Sequence, residues 1–157
     1  MQKKRSADPG DSKMMVAARQ RFLNAGHYQP IADALSRTVL AELPTNTTAS
    51  CLDAGCGEGY YLRQLRTAAG GDGHSLALMG LDISKWAVLS AAKQATTMSG
   101  LTTATTAPWA NWVVGSNANL PVLSNTLNGL LCIFGFPVYS EFARVLKPGG
   151  ILYQMDA

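Results

Sequence analysis

A glycine-rich stretch, Asp53-Ala54-Gly55-Cys56-Gly57-Glu58-Gly59, restricts what this chain can fold into more than any other part of the sequence. The apolar residues 49–52 before it predict a short buried strand, and residues 60–69 after it predict a helix. Glycine adopts backbone angles closed to other residues, and it has no side chain to hold a ligand away from the amides of the coming helix. We therefore expect a strand-to-helix turn that a ligand approaches closely.

The spacing of the glycines narrows the choice of ligand. Dinucleotide sites place their third glycine three positions after the second, whereas Gly55, Gly57 and Gly59 are evenly spaced, which argues against NAD. One acid, Asp53, precedes the glycines, and a second, Asp82, ends the next predicted strand. This combination resembles the S-adenosyl-L-methionine (SAM) site of class I methyltransferases.

The positions and chemistry of several residues suggest how each would contact such a ligand. Asp82, at the tip of strand two, is expected to accept hydrogen bonds from the two ribose hydroxyls. Asp53, Gly55 and Gly59 are expected to shape the turn or to orient the methionine ammonium. Asn117 follows predicted strand three at the height of an adenine ring, where its amide can donate or accept; a plain turn is the alternative there.

The predicted fold is a mostly parallel, Rossmann-like α/β sheet with helices on both faces, ending after strand five. We predict a flexible basic leader (1–11), N-terminal helices that pack on the core (12–48), and an incomplete SAM-binding core (49–157). Lys147-Pro148-Gly149-Gly150 is predicted to turn the chain into strand five. The other predicted strands cover 49–52, 76–81, 109–114 and 127–134.

Composition adds limits on class and location. The 157 residues suit one domain, and no apolar run approaches the ~20 residues of a membrane span. Without a secretory signal, a cytoplasmic protein is expected. The net charge of +3 is concentrated near the start of the chain, where a solvated leader and a phosphate-binding segment are both open interpretations. The basic residues there are Lys3, Lys4, Arg5, Lys13, Arg19 and Arg21.

The cysteines indicate neither disulfides nor a metal site. Cys51, Cys56 and Cys132 are odd in number and lack Cys-x-x-Cys spacing, so we expect buried reduced thiols. No cluster of His and Cys residues supports a metal ligand role for Cys56, and no metal is predicted for this chain.

Three segments carry a more particular resemblance, to the bacterial 23S ribosomal RNA guanine-N1 methyltransferase family. They are Lys4-Arg5-Ser6-Ala7-Asp8-Pro9-Gly10-Asp11-Ser12, Phe22-Leu23-Asn24-Ala25-Gly26-His27-Tyr28-Gln29-Pro30 and Asp53-Ala54-Gly55-Cys56-Gly57-Glu58-Gly59-Tyr60-Tyr61. The resemblance implies SAM contacts at Tyr28, Gly57 and Glu58, a ribose contact at Asp82, and methyl transfer to a guanine N1 of 23S rRNA. Family members also have an N-terminal zinc module and a longer carboxyl part, so this chain is expected to be a piece, with zinc outside it.

Two positions depart from the family pattern. Phe136 separates Gly135 from Pro137 at the tip of strand four, and Asn128 stands where an aspartate is usual. No residue is identified as the general base. Besides the rRNA enzyme, a small-molecule methyltransferase and a non-catalytic SAM-binding piece that self-associates through an incomplete sheet edge stay open.

Overall fold

The computed structural model describes residues 8–70, 73–98 and 108–156. In chain order its elements are α1 (Lys13–Asn24), α2 (Gln29–Glu42), β1 (Ala49–Ala54), α3 (Tyr60–Ala69), β2 (Leu76–Asp82), α4 (Lys85–Met98), β3 (Ala110–Val114), β4 (Leu127–Ile133), α5 (Tyr139–Val145) and β5 (Leu146–Met155). The strands form one sheet in the order β3-β2-β1-β4-β5, and every pairing between them is parallel. The predicted Rossmann-like α/β fold is confirmed.

The order of the strands reverses between β1 and β4. The chain first builds outward from β1 to β2 and β3, then returns to place β4 on the other edge of β1. In an open parallel sheet, ligands bind beyond the carboxyl ends of the strands at such a reversal. The glycine stretch follows β1 at this point, and a side chain added at Gly55 would lie 3.8 Å from the Cα of Gly135, beyond β4.

Apolar side chains pack on both faces of the sheet. One face is covered by α1, α2 and α3, and the other by α5. A buried leucine or phenylalanine contributes roughly 1.5–3 kcal/mol relative to an exposed one, so these two layers fix the strand ends in place. Fully buried members include Val39, Leu62 and Leu65 in the first layer and Leu52, Leu130, Phe142 and Val145 in the second.

Two serine side chains cap the first turns of helices. The Ser12 hydroxyl accepts a hydrogen bond from the Met15 amide at 3.2 Å, which caps α1. The Ser84 hydroxyl accepts one from the Ala87 amide, also at 3.2 Å, at the start of α4. Both side chains satisfy an amide that the helix itself leaves without a partner.

Strand five begins earlier than the sequence predicts. Leu146 pairs with Leu127 and Ile151 with Gly129, so the intervening residues 147–150 bulge out of the register within β5. Gly149, with φ +83°, makes this bulge possible. The turn predicted at residues 147–150, before strand five, therefore lies within the strand, because an irregular strand can include turn residues without ending.

Lys3, Lys4 and Arg5 of the predicted leader lie outside the described residues, and so do residues 99–107, which are rich in Thr and Ala. Residues 8–11 are described, and they contact the loop between β2 and α4. Within the described ranges, no helix has the length and apolar character needed to cross a membrane.

Candidate functional site

The glycine stretch forms a loop that is tied to the neighbouring strand. The amides of Gly55 and Cys56 both donate to the carbonyl of Leu81 in β2, at 2.8 and 2.9 Å. Gly55, Gly57 and Gly59 all have positive φ, at 89°, 54° and 85°. Other residues are strained in this conformation, which accounts for the evenly spaced glycines.

The three glycines face different surroundings. A side chain at Gly57 would meet nothing within 4 Å, whereas one at Gly59 would lie 2.9 Å from the Trp112 ring. Gly59 is therefore also required for packing between α3 and the sheet. Gly57, together with Gly55, leaves the backbone open to a ligand at the carboxyl edge.

Asp82 and Gly57 are brought into direct contact. The Gly57 amide donates to Asp82 Oδ2 at 2.9 Å, and the Ser84 amide donates to Asp82 Oδ1 at 2.9 Å. Each carboxylate oxygen still has accepting capacity, because it has more than one lone pair. An acceptor for hydroxyl donors thus stands beside the open glycine loop, and the ribose contact of Asp82 stays a prediction.

Asp53 is a buried acid with no partner. Its side chain is 1% exposed, and neither oxygen accepts a hydrogen bond from any described residue. Burial, with a smaller contribution from the charge of Asp82, raises its pKa from 3.8 to about 7. A buried carboxylate is costly without a partner, so this position favours a ligand that brings a cation or hydrogen-bond donors.

Tyr61 lies in the same buried region. Its hydroxyl is buried and has no hydrogen-bond partner among the described residues. Burial raises its pKa, and the negative charge of Asp53 acts in the same direction. Tyr61 is not among the predicted site residues, although its position at the start of the helix after the glycines was a usable signal.

Glu58 is directed toward the helices. Its side chain is 2% exposed; Oε2 accepts from Arg63 at 2.7 Å and also from the side-chain amide of Gln94. Arg63 additionally donates to the Glu58 carbonyl at 2.5 Å. The described partners of Glu58 thus belong to α3 and α4, and its predicted SAM contact stays a prediction.

Tyr28 lies against the tip of strand four. Its ring centroid is 6.0 Å from that of Phe134, and it meets the Phe22 ring edge-on at 5.1 Å. The His27 ring stacks on that of Phe22, with their centroids 4.8 Å apart. Tyr28 thus connects Phe22 of α1 to the tip of β4, a contact that no local sequence pattern indicates.

Asn117 connects two loops at the same edge. Its side-chain amide donates to the carbonyl of Phe136 at 3.0 Å, which ties the loop after β3 to the loop after β4. The same loop begins beside Asp82, since the Gly115 amide donates to the Asp82 carbonyl at 3.0 Å. The adenine contact predicted for Asn117 is untested.

The cysteines are free and buried. Burial raises the pKa of Cys51 to about 12 and also raises that of Cys56, so neither thiol is ionised near neutral pH. In the part of the chain that is described, no three His, Cys, Asp or Glu side chains come together as metal ligands.

A family model described as a methyltransferase domain matches residues 51–150, which is well over half of the chain. The chain belongs to the methyltransferase domain family. A 23S rRNA (guanine(748)-N(1))-methyltransferase of Streptomyces fradiae is 31% identical, over 90% of this chain and 45% of that protein. A relative from Micromonospora griseorubida, provisionally named a 23S rRNA (guanine-N(1)-)-methyltransferase, is 32% identical over 94% of this chain and 49% of its own length.

The chain thus spans about half the length of these relatives. Among solved structures, a protein of Methanococcus maripaludis, provisionally described as a SAM-dependent methyltransferase, superposes on this methyltransferase domain with a TM-score of 0.72. It is 20% identical, and the match covers 98% of this chain and 66% of that one. The likeness supports the Rossmann-like fold of the family.

Proposed function

We propose that this chain is the SAM-binding core of a methyltransferase that acts on N1 of a guanine in 23S rRNA. The SAM assignment rests on one observation. Two acids lie together where the strand order reverses: Asp53 is buried and has no partner among the described residues, and Asp82 accepts a hydrogen bond from Gly57 of the open glycine loop. The rRNA assignment rests on the relatives that the chain matches over nearly its whole length.

The residues at this edge fit the chemical groups of SAM. The molecule has a cationic ammonium, and Asp53 offers two buried carboxylate oxygens that accept from no described residue. Its ribose has two hydroxyls, and Asp82 retains accepting capacity beside Gly57. Gly55 and Gly57 leave room for the approach of a ligand backbone.

When bound, SAM supplies a methyl group already activated by attachment to a sulfonium. The work of the protein is then to bind, to orient and to exclude water. We assign the ammonium to Asp53, the ribose hydroxyls to Asp82 and the adenine edge to Asn117. Tyr28, with Phe134 beneath it, provides an apolar wall over this region.

Exposed aromatic side chains at the same edge support a nucleobase as the acceptor. Phe136 is 90% exposed, and Phe134 is 41% exposed with φ +57°, a conformation rarely adopted by a bulky residue. Bases in unpaired RNA stack on aromatic rings, which contributes about 1–3 kcal/mol per base. We therefore assign the acceptor base to the surface formed by Phe134 and Phe136.

The direct test is to incubate the chain with SAM carrying a labelled methyl group and with 23S rRNA that lacks modifications. Methylation at guanine N1 blocks Watson–Crick pairing, so reverse transcription is expected to stop at the labelled position. Label on small metabolites but not on RNA would favour the small-molecule alternative. SAM binding with no transfer to either acceptor would indicate a cofactor-binding piece.

A further inference from the structure

We propose that residues 8–11 form a strap that holds Asp82 in its cofactor-binding position, with Gly10 and Ser84 as positioning residues. The part of this inference that concerns SAM affinity rests on the proposed function. The part that concerns the conformation of Asp82 stands on the contacts alone.

Ser84 is the link between the strap and Asp82. Its side chain is fully buried, and its hydroxyl donates to the carbonyl of Asp11 at 2.6 Å. Its own amide donates to Asp82 Oδ1 at 2.9 Å. Ser84 is thus hydrogen-bonded both to the strap and to the Asp82 carboxylate. The same carboxylate accepts a hydrogen bond from Gly57 of the glycine loop.

Gly10 sets how closely the strap approaches. It has φ +83°, and a side chain there would lie 2.8 Å from Ile83 Cγ2 and 3.0 Å from the Ser84 amide nitrogen. The latter atom belongs to the backbone, which cannot rotate away as a flexible side chain can. A residue larger than glycine must therefore lift the strap or shift the segment that follows Asp82.

Two ion pairs keep the strap in register. Asp8 pairs with Lys85 at 2.9 Å, and Asp11 pairs with Arg19 of α1 at 2.8 Å. These pairs are largely exposed and so contribute little to stability. One ion pair lies on each side of Gly10, however, so together they favour the alignment in which Gly10 contacts Ser84.

The test compares two glycine replacements with the same backbone strain. Gly10→Ala places a methyl group against Ile83 and Ser84, whereas Gly149→Ala has the same φ of +83° but meets nothing within 4 Å. Gly149 lies in the bulge of β5, away from the carboxyl edge. We expect Gly10→Ala to raise the Kd for SAM by about tenfold, and Gly149→Ala to leave it near the wild-type value.

A second measurement needs no ligand. Amide hydrogen exchange, followed residue by residue in NMR spectra, reports the amides of Gly57 and Ser84 that bond Asp82. We expect exchange at both to accelerate in Gly10→Ala but not in Gly149→Ala. Ser84→Ala, which removes the donor to the strap, is expected to accelerate exchange at Gly57 and serves if Gly10→Ala does not fold.

The two readouts separate the strap from the proposed function. Faster exchange in Gly10→Ala, with no SAM binding even by the wild-type chain, would support the strap and reject the SAM assignment. Unchanged exchange in a folded Gly10→Ala variant, or unchanged SAM affinity where the wild type binds, would overturn the strap.

Discussion

Replacing Asp53 by asparagine is expected to stabilise the chain and at the same time to weaken SAM binding. Asp53 is buried with both oxygens lacking partners, so its ionised form is held in an unfavourable environment. Asparagine has nearly the same shape and no charge. The substitution therefore removes the cost of burying a charge without leaving a cavity.

The size of the effect follows from the pKa. The carboxyl titrates at 3.8 ordinarily and at about 7 in the folded chain, a difference equivalent to about 4 kcal/mol at most. Because the folded pKa is raised, the folded chain binds more protons than the unfolded chain between these values. The contribution of Asp53 to the free energy of unfolding is thus greatest at low pH. It falls as the pH rises toward 7 and is constant above that value.

Urea unfolding of the wild type and Asp53→Asn at several pH values tests this directly. The gain from Asp53→Asn is expected to grow by about 3 kcal/mol between about pH 4.5 and about pH 8.5. Asp33→Asn, at an exposed carboxylate on α2, is the matched control and is expected to change the free energy of unfolding by less than about 0.5 kcal/mol. A gain from Asp53→Asn that is flat with pH would refute the reasoning.

Three further predictions concern other parts of the chain. Phe142→Ala removes a fully buried ring of α5 that packs on the sheet, and urea unfolding should show that the free energy of unfolding falls by about 3–5 kcal/mol. A decrease below about 1 kcal/mol would contradict the described packing of this ring. Hydrogen bonds from Arg144 and from the Leu120 amide lower the pKa of Glu141 to about 2, so its stabilising effect is present above its ordinary value of 4.5 and is lost as the pH falls toward 2. The melting temperature of Glu141→Gln should accordingly lie below wild type near neutral pH and converge with it in acid, and a constant gap would count against this interpretation. Phe136→Ala should weaken RNA binding while leaving SAM affinity unchanged, and equal RNA affinity in a filter-binding assay would remove Phe136 from the acceptor surface.

Much of the fold could be predicted because its signals are local. The apolar runs of β1, β2 and β4 are bounded by glycine, proline and polar turns, and helices begin at Ser12 and after Ser84 where caps are expected. The contact between Gly57 and Asp82 was also predictable, since parallel strands bring their carboxyl ends to one edge of the sheet.

Other features depend on contacts that no local pattern reveals. Asp11 and Ser84 are 73 residues apart, and nothing near either indicates that the start of the chain lies on the β2–α4 loop. The partner of Glu58 on α4, Gln94, is 36 residues away, so the orientation of this acid could not be derived from its place in the glycine stretch. The lack of hydrogen-bond partners at Asp53 is likewise a property of the assembled core.

The most direct test of the central claim is calorimetric titration of SAM into this chain, alongside Asp82→Asn and the Asp33→Asn control. We expect saturable binding by the wild type and by Asp33→Asn, and strongly weakened binding by Asp82→Asn, because the amide replaces an oxygen acceptor with a donor. Absence of binding by the folded wild-type chain, or equal affinity in Asp82→Asn, would contradict a SAM site at the carboxyl edge of β1 and β2.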